Sequence, residues 1–469
     1  WLLTPLYWLS LLVLFLLSHD VDVVVVSALS LPSLSSSNIE TTARKNLGKK
    51  SFLLKEERGE ILPALTPEEL QASLMQRVAP KKPGSKSHRR AYLHCRALAM
   101  EAIRQELSRQ LPFPADRQRF ENLFFRLGVA ADHGVMPSFR EAGVRSGYAL
   151  EFFCRARSLA DVLVDVLHPN FVFAPQWKEA LLTTPLLPTN NDIRYDQRAP
   201  FRVLSLGGGP GFDHVGVALA ATMAAAATED LHYRRSIHTC VMDYEEGWQD
   251  LVVAMNQSTN TILLQQQQEQ QQQDKPQQLS CEWGGKCDIT KPLPQTLPLD
   301  VNGSTMSSTN AACLSQIQQA NLIICQYCVA ENAKLLLQSD YVFFEHMMQQ
   351  AADGTLFVFT ETTPRLWPDF CDLFQRYNNS CDQETTATSC SLQVSFNQNG
   401  KQMFVIKSSS CTTNINQHVA DDLAAESLFM TLQDAAMVER FVDIAGCHQR
   451  KIQSGWTRQT QTRRRARLH

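Results

Sequence analysis

Five consecutive residues, Gly207-Gly208-Gly209-Pro210-Gly211, could do the chemistry of this chain. A glycine backbone can take positive φ and lets a ligand approach where a Cβ would collide. The apolar run Val203, Leu204 and Leu206 reads as a buried strand, and the alanine-rich run Val215 to Ala227 reads as a helix. Strand, glycine turn and helix together present backbone N–H groups to a ligand at the helix start. Asp213, just past the last glycine, can cap that helix or do polar work at the turn. Asp243 closes the β-prone run Ile237 to Met242. A carboxylate in that place can accept from two ribose hydroxyls, and the plainer alternative is a surface acid after a strand.

The spacing narrows the ligand. A dinucleotide turn reads G-x-G-x-x-G, but Phe212 or His214 falls in the last place, depending on the register. G-x-G-x-G fits at Gly207, Gly209 and Gly211. The stretch resembles motif I of the class I S-adenosylmethionine-dependent methyltransferases, which commonly reads L-D-L-G-x-G-x-G. The resemblance implies S-adenosyl-L-methionine as cofactor. It places Gly207, Gly208, Gly209, Pro210, Gly211 and Asp213 at the cofactor, and Asp243 at its ribose. Asp288 would meet the adenine amino group and Ile289 the ring face; an aspartate capping a loop turn is the alternative for Asp288. Gln326 and Tyr327 would stand at the end of the fourth strand, near the transferred methyl group. With Glu331 they are the candidate catalytic residues. Two positions depart from the pattern: Ser205 replaces the acid before the first glycine, and Asn321 stands where aspartate is frequent. There is no N/D-P-P-Y tetrad and no Pro-Cys pair, and no set of residues at metal-binding spacing.

The elements that must position these residues follow the same resemblance. Leu392 to Phe396 alternates, Asn399-Gly400 suits a two-residue type I′ turn, and Met403 to Ile406 alternates back. A doubly wound, mostly parallel, seven-stranded α/β sheet closing on an antiparallel hairpin is the expected fold, over residues 201–410. Nicotinamide oxidoreductases lack that ending. They remain an alternative, as does a cofactor-binding scaffold without catalysis.

Before this domain, residues 64–168 read as a mainly helical region, with helices over Ala91 to Gln110, Arg117 to Leu127 and Gly147 to Leu167. It would serve as a packing lobe or as a cap over the site. Residues 171–200 read as an irregular connector. Residues 1–17 carry no charge. Residues 1–26 suit a signal peptide or a membrane contact, and the serine-rich, then basic, stretch to Lys50 resembles a transit peptide. Secretory entry, anchoring or plastid targeting follow from such a leader, and a cytoplasmic or nuclear place follows if it is spurious. Residues 264–278 are glutamine-rich and should be a disordered insertion. Residues 292–318 read as a polar loop, and 411–469 as an extension with an arginine-rich tail.

The chain has 469 residues, a net charge of −3 and 44% hydrophobic residues, enough for a sizeable core. Charge is concentrated locally. Arg77, Lys81, Lys82, Lys86, Arg89, Arg90, Arg96 and Arg104 form one basic segment, and Arg458, Arg463, Arg464, Arg465 and Arg467 another. Either would suit an RNA backbone; solvated basic surface is the ordinary reading. A small molecule or a protein is an equally open acceptor. Of thirteen cysteines, Cys325 and Cys328 form a C-x-x-C inside an apolar run, which reads as buried free thiols.

Overall fold

The computed structural model describes residues 86–116, 118–120, 138–167, 200–228, 236–264, 279–294, 310–361, 367–383, 390–397, 401–409 and 429–431, with single positions at 69, 72, 76, 77 and 123. The leader, the connector, the glutamine run, the Asn399-Gly400 turn and the arginine tail lie outside them. Among the described residues no helix is long and apolar enough to cross a membrane.

Three helices precede the sheet: α1 (Lys86–Gln110), α2 (Ala142–Glu151) and α3 (Cys154–Leu167). Two of the expected boundaries shift. The first helix begins at Lys86, five residues before Ala91. The last expected helix is two, interrupted at Phe152-Phe153. Phe152 and Phe153 then turn toward different neighbours, the one packing on Tyr148 and the other on Phe212.

The domain that follows runs β1 (Phe201–Leu206), α4 (Phe212–Thr228), β2 (Ile237–Asp243), α5 (Gln249–Leu263), β3 (Leu279–Lys286), α6 (Ala311–Gln319) and β4 (Leu322–Gln326). It continues with α7 (Cys328–Glu331), α8 (Ala333–Gln338), α9 (Val342–Gln350), β5 (Leu356–Thr360), α10 (Trp367–Gln383), β6 (Cys390–Asn397), β7 (Gln402–Ser409) and β8 (Phe429–Thr431). The sheet order is β3-β2-β1-β4-β5-β7-β6-β8. Strands β1 to β5 are parallel, and β7 runs antiparallel between β5 and β6. This is the doubly wound sheet with a terminal hairpin that the sequence implies. Strand β8, from the C-terminal extension, adds an eighth at the β6 edge, with Met430 opposite Phe396.

The central strands are apolar on both faces because both are covered. Val203, Ile324, Val358 and Phe404 point to one side, where α1, α3, α4 and α5 supply Ile103, Leu159, Val215 and Met255. Leu204, Ile323, Phe357 and Val405 point to the other, against Ile317 of α6, Phe344 of α9 and Phe370 of α10. A run such as LIICQ, with every residue buried, has no polar face to show and suits only such a position.

Helix α6 falls within the stretch expected to be loop; its Cys313, Leu314 and Ile317 form too short an apolar stripe to stand out among glutamines. Helix α5 extends to Leu263, and Leu264 packs on the core; the rest of the expected insertion, 265–278, lies outside the described residues. Asn260 Nδ2 donates to the carbonyl of Leu279 at 3.1 Å, tying α5 directly to β3 across the insertion. Replacing residues 265–278 by a short glycine-serine linker should therefore leave the melting temperature nearly unchanged. A fall of more than about 4 °C, the scale of ~1 kcal/mol in a domain of moderate size, would show structural contacts there.

Candidate functional site

The site lies at the carboxyl ends of β1, β2 and β4, where the strand order reverses, and where open α/β sheets bind ligands. Gly207, Gly209 and Gly211 all take positive φ, at 62°, 51° and 94°. The turn is anchored by Gly207 N–H donating to the carbonyl of Met242 at 2.9 Å, and Gly211 N–H to that of Gly208 at 3.0 Å. A Cβ on Gly207 would lie 2.9 Å from that of Cys328, and one on Gly208 would run into Ser205 Oγ. These glycines are required by space as well as by conformation.

Asp243 stands across the turn and is 4% exposed. Its Oδ2 accepts from Gly209 N–H and its Oδ1 from Glu245 N–H, both at 3.1 Å. Burial pushes its pKa up to about 7, against the lowering effect of those two backbone bonds. Each carboxylate oxygen has acceptor capacity beyond one bond.

The departure at Ser205 has a structural answer. Ser205 Oγ donates to Asp213 Oδ2 at 2.6 Å, and Gln326 Nε2 donates to Asp213 Oδ1. The acid displaced from β1 thus sits on the first turn of α4 and joins β1, α4 and β4 beneath the glycines. Burial pushes Asp213 up to about 6, opposed by its bonds to Ser205 and Gln326. Asp213→Ala would leave a buried hydroxyl and amide without their acceptor and should cost about 2 kcal/mol in urea denaturation. A loss below about 0.5 kcal/mol, the scatter of surface substitutions, would contradict this structural role.

A narrow cleft with about 40 Å³ of free volume extends from Gly207, Gly209 and Asp243 to Ile289, Glu331 and Asn332. The helical region closes one wall. Phe139, Tyr148 and Trp248 pack with ring centroids 5.0–5.4 Å apart. Beside them Arg155 Nη1 donates to the Tyr148 hydroxyl at 2.6 Å, and Nη2 to Glu331 Oε1 at 3.0 Å. The guanidinium also lies over Phe152 and Tyr327, 4.9 and 4.8 Å from their centroids. Burial lowers the Arg155 pKa, but Tyr148 and Glu331 outweigh it and hold the side chain charged.

Of the residues singled out from sequence, Gly207, Gly209, Asp243, Ile289 and Glu331 line this cleft. Gly208, Pro210 and Gly211 shape the turn behind it. Asp213 and Gln326 bond each other. Asp288 Oδ1 accepts from the N–H and hydroxyl of Thr290 at 2.9 and 2.6 Å, the geometry of a capped turn. Tyr327 is buried at a φ of 60°, its hydroxyl donating to Ser158 Oγ at 3.2 Å. That left-handed conformation is costly for tyrosine and is held by its N–H donating to the Thr360 carbonyl at 2.7 Å. Sequence reasoning missed Phe139, Tyr148, Arg155 and Trp248. For Arg155 a signal existed: a charge three residues after Phe152 and four before Leu159, on the apolar side of its helix.

Sheet order, reversed seventh strand and cleft position define a Rossmann-like fold. No family model matches the chain, and no curated protein matches it in sequence. Similar solved structures include an O-methyltransferase family protein from Burkholderia thailandensis, at 10% identity over 74% of this chain and 90% of that one, with a TM-score of 0.30. Others are cofactor-bound Rv0187 from MTB, at 10% identity over 64% and 98% with a TM-score of 0.21, and human N-acetylserotonin methyltransferase in complex with SAM, at 10% identity over 77% and 98% with a TM-score of 0.22.

Proposed function

We propose that the chain is an S-adenosylmethionine-dependent methyltransferase. The observation that carries this is Asp243: a buried carboxylate at the end of β2, across from a positive-φ G-x-G-x-G turn, in a cleft at the switch point of the sheet. The residue types suit the cofactor, and the cleft, with about 40 Å³ free, must widen to admit it. Asp243 would accept from the ribose hydroxyls, Gly207 and Gly209 would admit the chain of the cofactor without steric conflict, and Ile289 would lie against the adenine.

Bound S-adenosylmethionine supplies a methyl group already activated by the sulfonium. The protein's work is therefore proximity and orientation. The aromatic wall of Phe139, Tyr148 and Trp248 excludes water from the cleft. Arg155 holds Glu331 in place at the cleft. Among the described residues Asp243 and Glu331 are the two carboxylates lining the cleft, and with Asp243 committed to the ribose, Glu331 is left to take a proton from an acceptor that carries one. Tyr327 and Gln326 support the strand end.

The oxidoreductase alternative meets Phe212, which is buried against Tyr148 and Phe153 where a dinucleotide turn has its third glycine. Calorimetric titration with S-adenosylmethionine and with NAD distinguishes the two. Micromolar binding of the first and none of the second is expected; binding of NAD alone would overturn the reading. A scaffold without catalysis would bind S-adenosylmethionine and transfer no methyl group.

The acceptor classes we carry forward are a small molecule, a protein and RNA. The first basic segment offers less free charge than its composition implies. Arg96 is buried and bonded to Asp161, and Arg104 is paired with Glu101 at 2.8 Å. Radiolabelled methyl uptake across RNA, protein and small-molecule fractions separates the classes. An RNA acceptor requires that the logarithm of affinity fall linearly with log salt, with a shallower slope once 458–469 are removed.

A further inference from the structure

We propose that Cys325 and Cys328 form a reversible dithiol–disulfide couple in the wall of the cleft, with a hydroperoxide as the oxidant. Their sulfurs are 2.8 Å apart. A disulfide needs about 2.05 Å, so closure asks for a shift of roughly 0.8 Å. The backbone between them makes this approach a built feature. Cys325 lies in β4, paired with Leu206 on one side and Phe359 on the other. Tyr327 then takes its left-handed conformation and turns the chain back, so that Cys328, the first residue of α7, faces Cys325.

The two thiols are also unequal in access. Cys328 is 7% exposed and lines the cleft; Cys325 is 1% exposed and lies behind it. That is the arrangement of an attacking thiol with a resolving neighbour. Cys328 sulfur attacks the hydroperoxide, the O–O bond breaks, and a sulfenic acid and water or an alcohol result. Cys325 sulfur then attacks the sulfenic sulfur, the S–S bond forms and water leaves. The two thiols lose two electrons and two protons, and the hydroperoxide is reduced. The bond to Cys325, and then burial, raise the Cys328 pKa and keep the thiol protonated, so its attack is slow at neutral pH.

The couple bears on the site through two contacts. Cys328 sits directly against the Gly207 turn. Glu331 and Asn332 follow it within one helical turn and line the cleft. Drawing Cys328 toward β4 displaces both. If the methyltransferase reading above holds, the oxidised protein should bind S-adenosylmethionine at least threefold more weakly than the reduced protein.

The test uses the full chain exposed to graded hydrogen peroxide, denatured, alkylated and mapped by peptide mass spectrometry. The exposed thiol of Cys154 reports whether the dose is sufficient. The expected product is a peptide linking Cys325 to Cys328 that dithiothreitol returns to the dithiol. In Cys325→Ser, dimedone should instead trap the sulfenic acid on Cys328. Two alkylated thiols at a dose that oxidises Cys154 would overturn the couple. So would a bridge between Cys287 and Cys313 in its place, whose sulfurs stand 3.4 Å apart. Calorimetry of both redox forms separates the two claims. A mapped disulfide in a protein that binds no S-adenosylmethionine leaves the couple and removes the methyltransferase reading. Tight binding with no disulfide does the reverse.

Discussion

Asp243→Ala should weaken S-adenosylmethionine binding by about 1.5–3 kcal/mol, roughly 10- to 150-fold, the scale of hydrogen bonds to a charged group. The variant should still fold, because the carboxylate's present partners are two backbone N–H groups beside a cleft. Unchanged affinity in a folded variant would remove Asp243 from the site. The pH dependence gives a second readout. The ordinary carboxyl pKa is 3.8, and burial raises Asp243 to about 7. The folded ligand-free protein therefore binds a proton that the unfolded chain releases. Its contribution to stability is present below about pH 4 and is lost as pH rises to about 7. Asp213 adds a similar loss over the narrower window from about 4 to about 6. Ribose hydroxyls donate to the ionised carboxylate. Affinity should thus rise with pH up to about 7, by as much as tenfold per unit, and level off above it. Asp243→Asn should flatten that rise and leave the Asp213 part of the stability profile in place. Titrations from about pH 5 to pH 8, with thermal melts of the ligand-free protein over the same range, measure both.

Gly216→Leu should destabilise the protein by about 3 kcal/mol and weaken cofactor binding with it. Gly216 lies on α4 where α3 crosses it. A Cβ there would be 2.9 Å from both the Ala156 carbonyl oxygen and Leu159 Cβ. The carbonyl belongs to a helix backbone and cannot rotate away, so leucine must push the two helices apart. Arg155 is next to Ala156 on α3, and Tyr148 reaches it from α2. Separation of the helices would therefore open the aromatic wall of the cleft as well as loosen the core. Gly216→Ala should fall in the same direction with a smaller loss, about 1 kcal/mol. Urea denaturation of the pair, with calorimetric titration of each, reads both effects. Leucine tolerated within about 0.5 kcal/mol would mean that α3 does not dock on α4 as described.

These two residues mark what was legible in the chain and what was not. The sheet, its hairpin and the place of Asp243 at a strand end could be read from sequence because each rests on local pattern. Val203, Leu204 and Leu206 are apolar without alternation, so their strand must be buried on both faces. Three glycines at alternate positions need positive φ that other residues resist. The apolar run Ile237 to Met242 ends at its acid because the strand reaches the cleft there. Helix α6 was not legible, because three buried side chains among glutamines make too short a stripe to stand out. The partners of Asp213 were not legible either. Ser205, Asp213 and Gln326 come from two strands and a helix, up to 121 residues apart from first to last, and only the parallel pairing of β1 with β4 brings them together. The wall of the cleft was decided in the same way. Arg155 and Tyr148 precede the glycine turn by more than fifty residues, and they reach it because α3 lies against α4 at a glycine. Hydrophobic periodicity and backbone conformation are properties of neighbours along the chain. Which polar side chains meet is a property of packing between distant segments, and that is set only when the layers close.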